Sequence, residues 1–366
     1  MKDVTMQLAA LAAMSNKYGA DPSFVLAGGG NTSYKSEDRL WVKGSGTALA
    51  TIKPEDFVVL EREKLAKMWT AVYPEEEAAR EAAVLADMMA ARIAGESRRP
   101  SVETMLHDLF PQPYILHVHP AIVNGLTCSK EGEKAMKGLF PDAVWVDACK
   151  PGYILALLCK EKMDAYKAST GKDCNLLFLQ NHGIFFAGNT TEELDEMAHS
   201  VMAALNDAVT YKPQLEKLSY DEAKVKELTA KLAAAYAENA AVKFTVCPEV
   251  LAYDPATKSL SPDHIVYAKA KQLAMNADED VNAAFAAFAA ENGYKPKIVF
   301  VKDLGMFACG NSENEASTAL SVMMDAITVV AYAKNFGGVS PMPDFLIDFI
   351  VNWEVESYRS KVSLGK

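Results

Sequence analysis

Apolar and polar positions along this chain follow the helical period in some segments and the strand period in others. Residues 75–94 carry the apolar face of a helix, with an acidic first turn after Pro74 and with Gly95 at its end. Short β-rich runs lie beside glycine-rich turns in VLAGGGNTSYKS and RLWVKGSGTALATI. The segment NLLFLQNHGIFFAGN indicates two strands joined at His182 and Gly183. The patterning therefore predicts a mixed α/β protein.

Further helices are predicted from capping residues. A first helix ends at Gly19, and another begins at Ser101, which places Glu103 in its first turn. A charged helix from Ser219 to Ala241 is predicted to act as a solvated spacer or a packing arm rather than as a catalytic element.

A degenerate repeat lies in the second half of the chain. LLFLQNHGIFFAGNTTEEL at 176–194 matches IVFVKDLGMFACGNSENEA at 298–316 at a constant offset of 122 residues. An accidental match of two strand–turn–strand–helix units is the alternative. The two matched glycines and the capping pair Ser312 and Glu315, which repeats Thr190 and Glu193, favour true repetition. Because His182 becomes Leu304, the second copy is predicted to lack the chemistry of the first.

Composition and charge narrow the function classes. Half of the 366 residues are hydrophobic, which is enough for a large core. The formal charge of −11 argues against binding to nucleic acid or to an anionic membrane surface. Six scattered cysteines without a C-x-x-C pair are typical of reduced thiols. With no convincing signal peptide and no apolar stretch expected to reach membrane-spanning length, we expect a cytoplasmic protein.

Two histidines in the strand-like run ILHVHPA are the first chemical signal. Side chains at positions i and i+2 of a strand share a face, so His117 and His119 present two imidazoles to one point. His182, at the turn between two strands, is the best third candidate for a site of three histidines with an open position, as in catalytic zinc sites. A single buried histidine is more often a hydrogen-bonded core residue, but two on one apolar strand favour metal. His107, four residues after Glu103, is either an outer partner or a helix-face pair.

A carboxylate and two glycine-rich loops complete the candidate chemistry. The helix dipole alone can explain Glu103, but its position just before the histidine strand favours a base beside a metal site. GGGNTS and KGSGT, with Ser101 at a helix start, offer N–H groups and hydroxyls to a phosphate. Neither loop has the spacing of a dinucleotide fingerprint or a P-loop, so nucleotide binding is disfavoured.

Taken together, GGGNTS, LWVKGSG, SVETMLH, HVHP, KPGY and SPDHIVY resemble the class II (metal-dependent) aldolase/adducin family. The likeness is strongest to the aldolase half of bifunctional rhamnulose-1-phosphate aldolase/alcohol dehydrogenase proteins. It implies a three-layer α/β/α fold with a mostly antiparallel central sheet, and homo-oligomers that are often tetramers. Hydride transfer is not expected, since no dehydrogenase half is recognised in these residues.

The resemblance also implies roles for single residues. His117, His119 and His182 match the family's zinc ligands, a site that other divalent transition metals can also fill, and Glu103 matches its catalytic carboxylate. The phosphate-binding positions correspond to Asn31, Ser45, Gly46 and Ser101. Val102 stands where sugar-phosphate aldolases of the family have a second serine, so the phosphate contacts differ here.

These observations predict a zinc-dependent aldolase that cleaves a ketose 1-phosphate, or a related hydroxy-carbonyl anion, through a zinc-stabilised enediolate. An epimerase, dehydratase or decarboxylase on the same scaffold, and a non-catalytic adducin-like scaffold, are the alternatives. The predicted organisation is a catalytic domain at 1–212, a helical connector at 213–245, and a degenerate aldolase-like repeat with C-terminal helices at 246–366.

Overall fold

The structure, a computed structural model, describes residues 4–353, so the last part of the predicted repeat lies outside the described residues. Two compact units are present. The first takes the residues up to Val123 together with Glu133–Ala208, and the second takes Asn124–Gly132 and the residues from Val209 on.

The first unit is built on a seven-stranded sheet. Its strands are β1 Asn31–Lys35, β2 Arg39–Lys43, β3 Phe57–Glu61, β4 Tyr114–Val118, β5 Val144–Val146, β6 Leu176–Leu179 and β7 Gly183–Gly188. The spatial order is β3-β2-β1-β4-β7-β6-β5, and only the β5–β6 pair is parallel. The prediction of a mostly antiparallel sheet is confirmed.

Helices cover both faces of this sheet. The helices from Thr5 to Ala208 are α1 Thr5–Gly19, α2 Arg62–Met68, α3 Glu77–Ala90, α4 Thr104–Leu109, α5 Ala121–Thr127, α6 Gly132–Leu139, α7 Tyr153–Thr170 and α8 Thr191–Ala208, with short 3-10 turns at Leu49–Thr51 and Pro54–Asp56. Phe185 and Ala187 join the core formed with α2, α3, α4 and α7. Ile184 and Phe186 alternate to the opposite face, on which α1 packs against β1 and α8 against β7. The predicted three-layer arrangement is confirmed.

The second unit has a smaller sheet with the same topology. Its elements are α9 Glu222–Tyr236, β8 Ala241–Thr245, α10 Pro248–Ala252, α11 Pro262–Ala268, β9 Leu273–Met275, α12 Val281–Asn292, β10 Ile298–Val301, β11 Gly305–Gly310, α13 Glu313–Ala333, a 3-10 turn Lys334–Phe336 and α14 Asp344–Asn352. The order β8-β11-β10-β9 repeats β4-β7-β6-β5, again with one parallel pair at the end. The strand–turn–strand–helix unit found in the sequence is therefore a structural repeat.

Strand register shows what replaced the histidines in the repeat. His117 pairs with Phe185 across β4 and β7, and Phe244 pairs with Phe307 across β8 and β11. Phe185 and Phe307 are related by the 122-residue offset, so Phe244 occupies the place of His117. The same register puts Val246 at the place of His119. With Leu304 in place of His182, the second unit has apolar side chains at all three positions.

The helix caps in the two copies are also the same. The Glu193 N–H donates to Thr190 Oγ1 at 3.2 Å, and the Glu193 carboxylate accepts from the N–H of Asn189 at 2.7 Å. Glu315 makes the equivalent bonds with Ser312 and Asn311, both at 3.2 Å. In both copies the carboxylate thus reaches one residue further back than in the predicted capping box.

The predicted boundaries of three helices are corrected. α3 ends at Ala90, before the bridge between Arg92 and Leu60, so Gly95 does not end it. α4 begins at Thr104, so Ser101 does not cap it, and its hydroxyl instead accepts the N–H of Glu103 at 3.2 Å. α9 begins after Asp221, whose carboxylate accepts the N–H of Lys224, and ends at Tyr236. Within the segment predicted as a connector, α9 buries an apolar face and packs against β8 in the second unit.

One stretch is longer and more apolar than the sequence patterns indicated. Glu313–Phe336 is long and apolar enough to cross a membrane by length and composition. Half of the window is buried inside the fold, and α13 packs against β11 and α11. A buried core helix passes the same test, which accounts for this stretch.

A buried lysine lies in the core of the first unit. Lys35 is 4% exposed, and its amine donates to the carbonyl oxygen of His107 at 2.7 Å. Burial lowers the pKa of Lys35 to about 7, because the carboxylate of Asp108 only partly offsets the loss of hydration. Since the unfolded value is near 10.5, the unfolded chain binds more protons between these pH values, and stability rises with pH in that window.

Between about pH 7 and 9 we therefore expect the free energy of unfolding to increase by about 2 kcal/mol more in the wild type than in Lys35→Met. Urea unfolding of the metal-free proteins measures this difference. Lys64→Met, at a lysine that is 44% exposed, is the control and should show no such trend. Parallel pH curves for the wild type and Lys35→Met would contradict the prediction.

Candidate metal centre

The three predicted imidazoles converge on one point. His117 is the next-to-last residue of β4, and His119 follows that strand. His182 lies in the turn between β6 and β7, and β7 is the neighbour of β4. The Nε2 atoms of His117 and His119 are 2.8 Å apart, and the His182 ring centroid lies 5.1 Å from each of the other two. One nitrogen from each ring lies within 4.8 Å of the others. Pairing of β4 with β7 thus joins two segments that are more than 60 residues apart in the chain.

The turn that carries His182 is shaped for this contact. Asn181 takes a left-handed conformation with φ of 57°, and the His182 N–H donates to Leu179 O at 3.2 Å. A Cβ atom at Gly183 would lie 2.5 Å from His119 Cδ2. Glycine is therefore required at position 183 for the His119 ring to lie against the turn.

His117 is held in the form that binds metal. The ring is fully buried, stacks on Phe185 at 3.9 Å, and donates from Nδ1 to Ile184 O at 2.9 Å. Nε2 then faces the other imidazoles with its lone pair. Burial lowers the pKa of His117 well below its usual range, so the ring is neutral, as a ligand must be.

Glu103 lies against the same cluster, just before α4. Its Oε1 is 3.4 Å from His117 Nε2 and 3.3 Å from His182 Nε2. Its Oε2 accepts a hydrogen bond from the Asn31 amide at 2.6 Å. Burial alone would raise the pKa of Glu103, but the imidazoles, when they carry a proton, and the Asn31 amide outweigh it and lower the pKa to about 2. A cation bound among the imidazoles would act in the same direction.

These residues fit a divalent metal ion. Two imidazole nitrogens 2.8 Å apart are stable only with a proton or a cation between them. Oε1 of Glu103 is buried and accepts no hydrogen bond, although a buried carboxylate oxygen normally has a partner. Imidazole nitrogen and carboxylate oxygen are ligands that zinc and other transition metals accept. His117, His119 and His182 therefore form a group that can hold such an ion.

The predicted phosphate-binding residues lie on three neighbouring segments. Asn31 opens β1 opposite His117, and its amide also approaches Ser101 Oγ at 3.3 Å. The Ser101 N–H donates to Lys43 O at 3.1 Å, and the Ser45 N–H donates to Arg99 O at 2.8 Å. The loop of Ser45 and Gly46 is thereby held beside the segment of Ser101. Asn31, however, is already bonded to Glu103, which is a contact that the sequence did not indicate.

His107 is the residue whose place in the site the sequence left open. It is fully buried on α4, and its ring bonds to Asn31 and to Ser33. The signal in the sequence was the run of polar residues at alternate positions of a buried strand, namely Asn31, Ser33 and Lys35. Such a run indicates that a polar partner packs on that face of the strand.

The first unit is thus a three-layer α/β domain that has three imidazoles able to bind a metal, and a buried carboxylate beside them, at one end of its sheet. Residues 9–209 match the family model of the class II aldolase and adducin N-terminal domain, which is more than half of the chain. The chain therefore belongs to this family, as the sequence motifs predicted, and members of the family are generally enzymes that depend on a divalent metal.

Several known proteins are similar to this chain. A Bacillus subtilis (strain 168) protein named uncharacterized oxidoreductase YuxG is 28% identical over 200 residues, which are 51% of this chain and 27% of that protein. The chain thus spans about a quarter of that relative. The N-terminal class II aldolase domain of a Thermoplasma acidophilum protein is 23% identical, with a TM-score of 0.48, over 57% of this chain and 95% of that one. L-fuculose-1-phosphate aldolase from Thermus thermophilus is 18% identical, with a TM-score of 0.35, over 55% and 91% of the two chains.

Proposed function

We propose that this protein is a metal-dependent aldolase that cleaves a ketose 1-phosphate or a closely related hydroxy-carbonyl anion. One observation carries the proposal: a buried carboxylate directs a hydrogen-bond-free oxygen at a cluster of three imidazoles. A purely structural metal site has no use for an ionised carboxylate held in this way. An adducin-like scaffold would not need either feature.

The reaction assigns distinct work to the residues of this chain. In cleavage, the hydroxyl on C4 gives its proton to solvent and the C3–C4 bond breaks. C4 leaves as an aldehyde, and the electron pair of the broken bond remains on the C3 fragment as an enediolate. Protonation at C3 then gives dihydroxyacetone phosphate. We assign the transfer of this C3 proton to Glu103, whose carboxylate lies against the imidazole cluster and accepts the proton in the synthetic direction.

A divalent cation held by His117, His119 and His182 would supply Lewis-acid charge that stabilises the developing negative charge. The surroundings of Ser45, Gly46 and Ser101 would bind the phosphate, with Val102 altering that contact relative to other sugar-phosphate aldolases. Zinc is the metal that we propose, since three histidines are a common catalytic zinc set. We also propose a cytoplasmic homo-oligomer, in keeping with the six free cysteines and with the family.

Proton exchange provides the direct test. Protein loaded with Zn²⁺, Mn²⁺ or Co²⁺ is incubated with dihydroxyacetone phosphate in D₂O, and loss of the C3 proton signal is followed by NMR. A panel of ketose 1-phosphates is assayed for fragment release in parallel. Metal-dependent exchange with fragment release is the expected result. Isomerised substrate without fragments would indicate an epimerase. Loss of water from another substrate would indicate a dehydratase, and loss of carbon dioxide would indicate a decarboxylase. Protein that binds no metal and catalyses no exchange would leave the adducin-like scaffold as the function.

A further inference from the structure

We propose that His107 is a positioning residue that acts through Asn31 to set the orientation of the Glu103 carboxylate. The proposal rests on the function assigned above to Glu103. His107 is 0% exposed, and its ring bonds to Asn31 and Ser33 rather than to the three imidazoles.

The inward face of β1 is polar at three successive positions, and all three side chains bond to His107. Asn31 Oδ1 makes a short hydrogen bond with His107 Nε2, Ser33 Oγ lies 2.7 Å from Nδ1, and Lys35 Nζ lies 2.7 Å from the carbonyl oxygen. Each of these residues is more than nine-tenths buried. A buried polar group without a partner costs about 1–3 kcal/mol, so an apolar face would be simpler if only packing were needed. The full set of bonds gives instead a rigid network.

Hydrogen-bond chemistry determines the direction of every bond in this network. The Asn31 amide nitrogen donates to Glu103 Oε2, so Asn31 Oδ1 is the acceptor toward His107. His107 Nε2 must then carry the proton. Burial lowers the pKa of His107 to about 3, which leaves the ring a single proton, and Nδ1 accepts from the hydroxyl of Ser33.

This polarity prevents the Asn31 amide from turning over. If the amide rotated by half a turn, its oxygen would face the Glu103 carboxylate and its NH₂ group would face the Nε2–H of His107. Both contacts would then be repulsive. In the observed orientation, Asn31 donates to Glu103 Oε2, and Ser101 Oγ accepts the backbone N–H of Glu103. Glu103 Oε1 therefore remains directed at His117 and His182.

Two amide substitutions separate this role from simple packing. The terminal nitrogen of glutamine reaches the place of histidine Nε2, whereas that of asparagine reaches only the place of Nδ1. His107→Gln can therefore still donate to Asn31, and His107→Asn keeps only the bond to Ser33. His264→Asn and His264→Gln are matched controls, because His264 is also buried but pairs with Asp325 in the second unit.

For the deuterium exchange of dihydroxyacetone phosphate, we expect His107→Asn to lower kcat by about 10–100-fold, as for loss of an outer partner in metal sites. At saturating metal, KM and metal content should remain those of the wild type, and His107→Gln should recover most of the rate. Equal losses in the Asn and Gln variants, or a loss confined to KM, would overturn the proposal. Both His264 variants should exchange at the wild-type rate.

A measurement that needs no turnover decides the proposal even if the function assigned above fails. Co²⁺ affinity, followed by the visible spectrum, is measured for the wild type, His107→Asn, Glu103→Gln and the double variant. If His107 acts only through Glu103, His107→Asn weakens Co²⁺ binding in the wild type and has no further effect beside Glu103→Gln. The same loss in both backgrounds, or no loss in either, would overturn the proposal. Absence of exchange in the wild type, by contrast, would reject the aldolase function alone.

Discussion

Replacing His182 by alanine is expected to remove the bound metal and with it all exchange activity. The wild type should hold one divalent ion per chain, since the second unit has Phe244, Val246 and Leu304 where the first has histidines. Loss of one of three imidazoles should weaken metal affinity by more than about 100-fold, because loss of an outer partner alone costs about 10–100-fold. Metal analysis after dialysis, together with titration by Co²⁺, measures both the stoichiometry and the affinity.

His199→Ala is the matched control for this substitution. His199 is an exposed histidine on α8 of the same unit, and its ring bonds to the backbone oxygen of Asp195. The variant should keep one ion per chain at wild-type affinity. A His182→Ala protein that retains its metal would show that the three imidazoles do not form the site, and a wild type with two ions per chain would reveal a second site.

Glu103→Gln is expected to lower the rate of proton exchange by about 10²–10⁴-fold, the usual contribution of a general base. Glutamine has nearly the same shape and can keep the hydrogen bond from Asn31, but it cannot take a proton. At saturating metal the ion should therefore remain bound while the exchange rate falls. Deuterium exchange at saturating dihydroxyacetone phosphate, with metal content measured on the same sample, separates the two effects.

Glu193→Gln serves as the control, because Glu193 caps α8 in the same unit away from the imidazoles. Its exchange rate should match that of the wild type. An exchange rate that survives Glu103→Gln would assign the proton transfer to another group. Failure of that variant to hold metal even at saturating concentrations would mean that Glu103 serves the ion rather than the proton.

Much of the fold followed from local patterns. The helix predicted at 75–94 forms as α3, although it ends at Ala90 rather than at Gly95, and the strands on either side of His182 form as β6 and β7. Boundaries were less accurate where a tertiary contact competed with a local signal. Ser101 has the residue type of a helix cap, yet its hydroxyl turns the chain toward Glu103 and α4 begins three residues later. The end of the predicted helix at Ala241 became β8, because pairing with β11 buries that segment.

The sequence by itself determined which residues could carry the chemistry. Strand geometry places His117 and His119 on one face, and the repeat with its loss of His182 can be read directly from the letters, since both depend on local spacing. Only the tertiary structure decided that His182 joins them, because this requires β7 to pair with β4 rather than with another strand. It also decided that Asn31 holds Glu103 and that His107 holds Asn31. Those bonds cross between β1 and the chain around α4, some 70 residues away, and no local pattern specifies which buried polar groups will meet.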